Sequence, residues 1–99
     1  MLLNRHGRLI KNHQISKGGL AKTTIDPKVI FKVALEYHAH ALIIVHNHPS
    51  GDLRPSGADI DLTTVLIEGA RHLGIKVIDH LILTADSYFS FAENGLLAR

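Results

Sequence analysis

The sequence has no cysteine in its 99 residues. This excludes a disulfide framework and any thiolate metal site, so a bound metal must rely on histidine and carboxylate. It is also compatible with a cytoplasmic protein, which is the expected location. The longest fully apolar run is the five residues Ala41–Val45, far short of the ~20 that span a membrane. Met1-Leu2-Leu3 passes at once into Asn4 and Arg5, so no secretory signal is expected. Lys and Arg number 11 against nine Asp and Glu. They are scattered, without a run or interleaved aromatics, so this domain offers little for a nucleic-acid partner. His-Glu-x-x-His, Pro-Cys-x-x-Cys and a Gly-rich phosphate loop are all missing, which argues against those zinc-protease, deaminase and nucleotide-binding chemistries. Glutamate is scarce, with only Glu36, Glu68 and Glu93.

The hydrophobic share, 45%, is ordinary for a globular chain, and the length suits one domain with one core. Asn4-Arg5-His6-Gly7 is a turn signal between two short apolar segments and predicts a hairpin. The second strand is expected over 10–17, ended or bulged by Gly18-Gly19. Asp26-Pro27 predicts a helix start, with Asp as N-cap and Pro at N1. Apolar spacing through Val29, Ile30, Val33, Ala34 and Tyr37 carries that helix to about Ala39. Ala41–His46 reads as a buried strand. A helix from Ser56 follows, with Ile60, Thr63/Thr64, Ile67 and Ala70/Arg71 near one stripe, widened by Val65, Leu66 and Leu73, and with Gly74 as its stop. Strands are expected at 75–83 and 88–92, with Phe89 and Phe91 on one face. The order β-β-α-β-α-β-β predicts a single α/β domain with a mixed sheet covered by helices.

The stretch His46-Asn47-His48-Pro49-Ser50-Gly51-Asp52 leaves the third strand, and Ser56 and Asp59 open the next helix. Residues i and i+2 of a strand share a face, so His46 and His48 point the same way. Asp59, in the first helical turn, can meet them. Two imidazoles and a carboxylate suit a zinc site that keeps a fourth position for water. Ser56-x-x-Asp59 is also a capping-box pattern, and the two readings are compatible. By this chain's own composition, all four residues at these spacings arise by chance with a probability of roughly two in a thousand. His38 and His40 share the parity of His46. Along one strand, however, His38 would stand ~26 Å from it, so both are expected at the surface, as are His6 and His72.

His46-x-His48, seven residues, Ser56, two residues and Asp59 resemble the JAMM motif of the MPN+ metalloproteases. The surrounding text is similar to the C-terminal domain of the bacterial RadC proteins. It includes Leu3-Asn4-Arg5, Arg8-Leu9-Ile10, Asp26-Pro27, Ala34-Leu35-Glu36, Pro55-Ser56, Asp79-His80-Leu81-Ile82 and Ser90-Phe91-Ala92-Glu93. The resemblance implies a curved sheet with flanking helices and a Zn²⁺ held by His46, His48 and Asp59. Ser56 would donate to the oxyanion during hydrolysis of a peptide or isopeptide bond, in a DNA-repair-associated protein. It implies a peptide or protein substrate and no membrane partner. RadC-like proteins carry more chain on the N-terminal side, so a longer protein is expected. The family's general-base Glu lies on an early strand, and alignment through Leu9-Ile10 and Gly18 brings His13 to it, within one residue. Asn12 and Gln14 are not acids, and Glu36 belongs to the helix. His13 therefore stands as base, as fourth ligand, or as a strand residue without a role, and the alternative to an enzyme is a non-catalytic metal-binding or interaction module. His80 has an open role, either packing and hydrogen bonding or metal binding.

Overall fold

The computed structural model of the chain describes residues 1–13, 25–48 and 51–97. The elements are β1 (Leu2–Leu3), β2 (Leu9–Lys11), α1 (Pro27–Glu36), β3 (Ala41–Asn47), α2 (Gly57–Leu73), β4 (Lys76–Leu83) and β5 (Tyr88–Ser90). The strands form one sheet in the order β2-β1-β3-β4-β5. The β3–β4 pair is parallel and the other pairs are antiparallel. This is the expected order, as a mixed α/β sheet with two helices. No helix of the described residues is long and apolar enough to cross a membrane.

The hairpin is held by its asparagine. Asn4 Oδ1 accepts from the backbone N–H of His6 and of Arg8, at 2.9 and 3.0 Å, as Asx turns do. Gly7 completes the turn at φ +76°. The second strand is shorter than expected where it can be followed, Leu9–Lys11, and all three residues are exposed. The expected Gly18-Gly19 bulge lies outside the described residues. Asp26 caps α1 by accepting from Lys28 N at 2.9 Å, and Pro27 opens the helix.

The helix α1 stops at Glu36, short of the expected Ala39. His38 turns left-handed at φ +53°, its N–H bonds to Leu35 O, and Ala39 N–H bonds to Ala34 O at 3.0 Å. These bonds satisfy helix-end carbonyls in the manner of a Schellman stop. The helix α2 ends as expected, with Gly74 at φ +69°. Its buried stripe differs from the expected one. Thr63, Leu66 and Ala70 are buried, whereas Ile60, Val65 and Leu73 are exposed. A stripe anchored on 63, 66 and 70 needs only the 3–4 residue spacing of one face. Burying Val65 as well would have required contacts on a second face, and Leu73, in line with Leu66 and Ala70, is exposed as the last residue of the helix. The last strand, β5, ends at Ser90, two residues early, and Phe91 packs from the turn beyond it. Phe89 and Phe91 still meet edge to face at 5.8 Å.

Ile30, Val33 and Ala34 of α1 share one core with Leu66 and Ala70 of α2 and Leu42, Ile44 and Val77 of the sheet. A second cluster, Ile82, Phe91 and Leu97, meets it through Ile67. The central parallel pair contains a register shift between Leu42 and Ile43, because Leu42 faces Val77 while Ile43 faces Asp79. Ile78 is the extra residue of this bulge. A bulge reverses side-chain parity beyond it. Val77 is buried before it, and His80 and Ile82 are buried after it.

The left-handed His38 suggests a stability test. A non-glycine residue in this conformation costs ~1–2 kcal/mol, and glycine relieves this at some cost in unfolded-state entropy. His38→Gly should raise stability by ~0.5–1 kcal/mol, seen as a higher denaturation midpoint at unchanged slope. His38→Val should lower it.

Candidate metal centre

The C-terminal end of β3 and the N-terminus of α2 meet at this centre. His48 follows the last residue of β3, but its backbone N–H still bonds to Leu83 O at 2.9 Å, so it remains held to the sheet. Asp59 is fixed by the capping box. Ser56 Oγ accepts from Asp59 N at 3.1 Å, and Asp59 Oδ2 accepts from Ser56 N at 2.7 Å. The cap leaves the Asp59 carboxylate facing both histidines. His46 Nε2 is 3.2 Å from Oδ1 and His48 Nε2 is 3.3 Å from Oδ2. The two Nε2 atoms are 2.9 Å apart.

A donor count shows why this cluster suits a cation. His48 Nδ1 lies 2.8 Å from the backbone oxygen of Asp52. A carbonyl oxygen only accepts, so this nitrogen carries the ring proton of neutral His48. Its Nε2 is then a bare lone pair facing a carboxylate oxygen and a second imidazole nitrogen. Acceptors converging in a half-buried site need a positive partner. The side chains of His46 and His48 are each 19% exposed and that of Asp59 is 14% exposed, leaving the group open on one side. The donor set of imidazole nitrogens and carboxylate oxygens fits a divalent metal.

Behind His46 lies His80, fully buried at 0% exposure. Its Nε2 is 2.9 Å from His46 Nδ1, and its Nδ1 is 2.6 Å from Thr63 Oγ1. Its ring stacks on Phe91 with centroids 4.3 Å apart and planes 10° apart. Two overlapping ligand sets can therefore be drawn. His46, Asp59 and His80 offer atoms within 4.8 Å of one another and could hold an ion. His46, His48 and Asp59 form the tighter set. The tighter set is chemically preferable because both ring nitrogens of His80 already have partners within the protein.

The electrostatics agree with a site built for neutral imidazoles. Burial pushes the His46 pKa down, with His48 adding to this and Asp59 opposing it. Burial pushes the Asp59 carboxyl up, but the two hydrogen bonds with Ser56 and the nearby His46 and His48 outweigh it and leave the pKa lowered. Burial, reinforced by His46, lowers His80 to about 4.

His13 is exposed two residues past β2, and among the described residues no hydrogen bond or ion pair joins it to the cluster. Gln14 lies outside the described residues. His6, His38, His40 and His72 are exposed, as expected. Sequence reasoning left His80 open and did not find Thr63, although a Thr on the buried stripe and a His inside an apolar strand were the signals available. Asp79, beside His80, has a structural part. Its carboxylate accepts from Ser90 Oγ at 2.5 Å and from Ala92 N at 3.0 Å, fixing the turn that presents Phe91.

The buried His80 makes metal-free stability pH-dependent. The unfolded ring takes a proton near pH 6.5, whereas the folded ring resists until about 4. A lowered histidine pKa favours the unfolded chain wherever only the unfolded ring is charged. Stability should therefore fall as pH drops from 6.5 toward 4, by up to ~3 kcal/mol from this group. Urea midpoints across that range should show the loss, and a His80→Gln variant should show a flatter profile.

Comparison with known proteins places the fold and the site in context. The family model described as RadC-like JAB domain matches residues 1–96. A UPF0758 protein of Flavobacterium johnsoniae is 43% identical over 96 residues, covering 97% of this chain and 42% of that protein. The UPF0758 protein pc1765 of Protochlamydia amoebophila is 47% identical over 93 residues, 94% of this chain and 40% of its own length. A UPF0758 protein of Porphyromonas gingivalis is 45% identical over 98 residues, 98% of this chain and 43% of its own. The chain thus spans less than half the length of these relatives. With the match running almost end to end, the chain belongs to the RadC-like JAB domain family.

Proposed function

We propose that this domain is a zinc-dependent hydrolase acting on a peptide or isopeptide bond, with the ion held by His46, His48 and Asp59. The observation that carries this reading is the convergence of two imidazole nitrogens and one carboxylate, separated by 2.9, 3.2 and 3.3 Å. Ligands at 2.0–2.1 Å around a tetrahedral zinc are ~3.3 Å apart. Zinc in such a site supplies a Lewis acid and brings the pKa of its water toward 7.

The protein's own groups have separate tasks. Asp59 and the two histidines hold the charge and are themselves held, by the capping box and by the Asp52 carbonyl. Ser56 is exposed beside them. Its cap uses an Oγ lone pair, accepting from Asp59 N, which leaves its hydroxyl proton available. That proton can be donated to a scissile carbonyl oxygen as negative charge develops there. Hydrolysis further needs a group to take a proton from water and return it to the leaving amine. The resemblance brings His13 to the position of the family's Glu, within one residue, and makes it the candidate for this group.

The second reading, a non-catalytic metal-binding or interaction module, is favoured by one observation. Among the described residues no hydrogen bond or ion pair joins exposed His13 to the cluster, and Asp59 is the acid within it.

Metal analysis of the purified chain should find about one zinc per chain. His46→Ala, His48→Ala or Asp59→Ala should abolish it, and His38→Ala should not. Zinc retained at full stoichiometry in the His46→Ala, His48→Ala double variant contradicts the site. Affinity should also weaken as pH falls below ~6.5, where protons compete for imidazole nitrogen. The hydrolase reading is tested by His13→Glu with a fluorogenic peptide series. If only the base is missing, turnover should rise ~10²–10⁴-fold. Zinc binding without any turnover in either form supports the non-catalytic module.

A further inference from the structure

Thr63 is buried on α2 at 1% exposure, four residues after Asp59. Its hydroxyl has one proton and two neighbours. The backbone oxygen of Asp59 is 2.9 Å away, and His80 Nδ1 is 2.6 Å away. The carbonyl can only accept, so both contacts are hydrogen bonds only when the Thr63 proton goes to it. Thr63 Oγ1 then presents a lone pair to His80, and His80 Nδ1 must donate. A neutral imidazole carries one ring proton, so His80 Nε2 is left as an acceptor. It faces His46 Nδ1 at 2.9 Å, which must therefore carry the proton of His46. The His46 Nε2 lone pair is left bare, pointing at Asp59 Oδ1 and His48 Nε2.

We infer that Thr63 and His80 are positioning residues that set the protonation of His46 from behind, so that its metal-facing nitrogen is always the unprotonated one. This rests on the zinc-site reading above and goes beyond it. It removes His80 from the ligand set and gives a function to a threonine that touches no ligand atom of the site. The direction of the whole chain is fixed at its far end by a backbone carbonyl, which cannot reverse its role. His48 is set independently by the Asp52 carbonyl. Both histidines are therefore held in the same tautomer by backbone oxygens, one directly and one through two side chains. Thr64, the neighbouring threonine, is exposed and its hydroxyl donates to Ile60 O at 3.1 Å, so it provides an internal control.

The test uses Thr63→Val, which keeps the side-chain shape and removes the hydroxyl, with Thr63→Ser and Thr64→Val as comparisons. Nitrogen-15 NMR of the histidine rings is recorded on the metal-free chain at neutral pH. The wild type should show His46 protonated on Nδ1. In Thr63→Val, His80 Nδ1 loses its acceptor, and the His46 proton should shift to Nε2. Zinc titrated against a chromophoric chelator should then bind 10–100-fold more weakly to Thr63→Val. Thr63→Ser and Thr64→Val should both keep the wild-type tautomer and affinity. Wild-type His46 protonated on Nε2 overturns the inference even if Thr63→Val fails to fold, and so does a Thr63→Val chain with unchanged tautomers and unchanged affinity. The tautomers are read without metal. A wild type that shows them but binds no zinc counts against the zinc site alone.

Discussion

A buried imidazole with both nitrogens committed is the constraint around which this domain is arranged. His80 joins Thr63 of α2, His46 of β3 and Phe91 of the C-terminal turn. Desolvating a charged ring in that position is costly, and desolvating a neutral one is not, provided each nitrogen has a partner. Together the four groups bring the helix N-terminus and the strand end to one point. The ring of contacts closes on Asp59, whose backbone oxygen receives the Thr63 proton and whose carboxylate faces the far nitrogen of His46. A site of this kind is as rigid as its core, because the same residues serve both.

The capping box shows the same economy. In an isolated helix, Ser56 and Asp59 would only satisfy each other's backbone N–H groups. Here the carboxylate Oδ2 that accepts from Ser56 N is also 3.3 Å from His48 Nε2. The cap therefore sets where the negative charge stands, and an acid in the first helical turn lies favourably with the helix dipole. The Asp79 carboxylate works on the opposite side of the sheet's end. By holding the turn after β5, it keeps Phe91 against His80.

Much of this was legible in the sequence, and what was missed has identifiable causes. His46 and His48 could be placed on one face because a strand end has period two, and Asp26-Pro27 and Gly74 marked helix ends through ordinary cap chemistry. His80 could not be placed, because the bulge at Leu42/Ile43 adds Ile78 to β4 and reverses parity beyond it. Simple alternation from buried Val77 would have turned Asp79 inward and His80 outward. The end of α1 was missed because His38, rather than glycine, adopts the left-handed stop. Val65 was counted toward the core of α2 for its apolar character although it faces solvent, and Leu73 has the right spacing but is exposed as the last residue of the helix.

The central claim is that His46, His48 and Asp59 form a metal centre and that His80 orients it without joining it. X-ray absorption at the zinc edge on the zinc-loaded chain, compared with His80→Gln and His48→Gln, tests this most directly. The account predicts two imidazole nitrogens and carboxylate oxygen at ~2.0–2.2 Å in the wild type. That ligand shell should be unchanged in His80→Gln and should lose one imidazole in His48→Gln. Loss of an imidazole from the shell in His80→Gln, with none lost in His48→Gln, would contradict it.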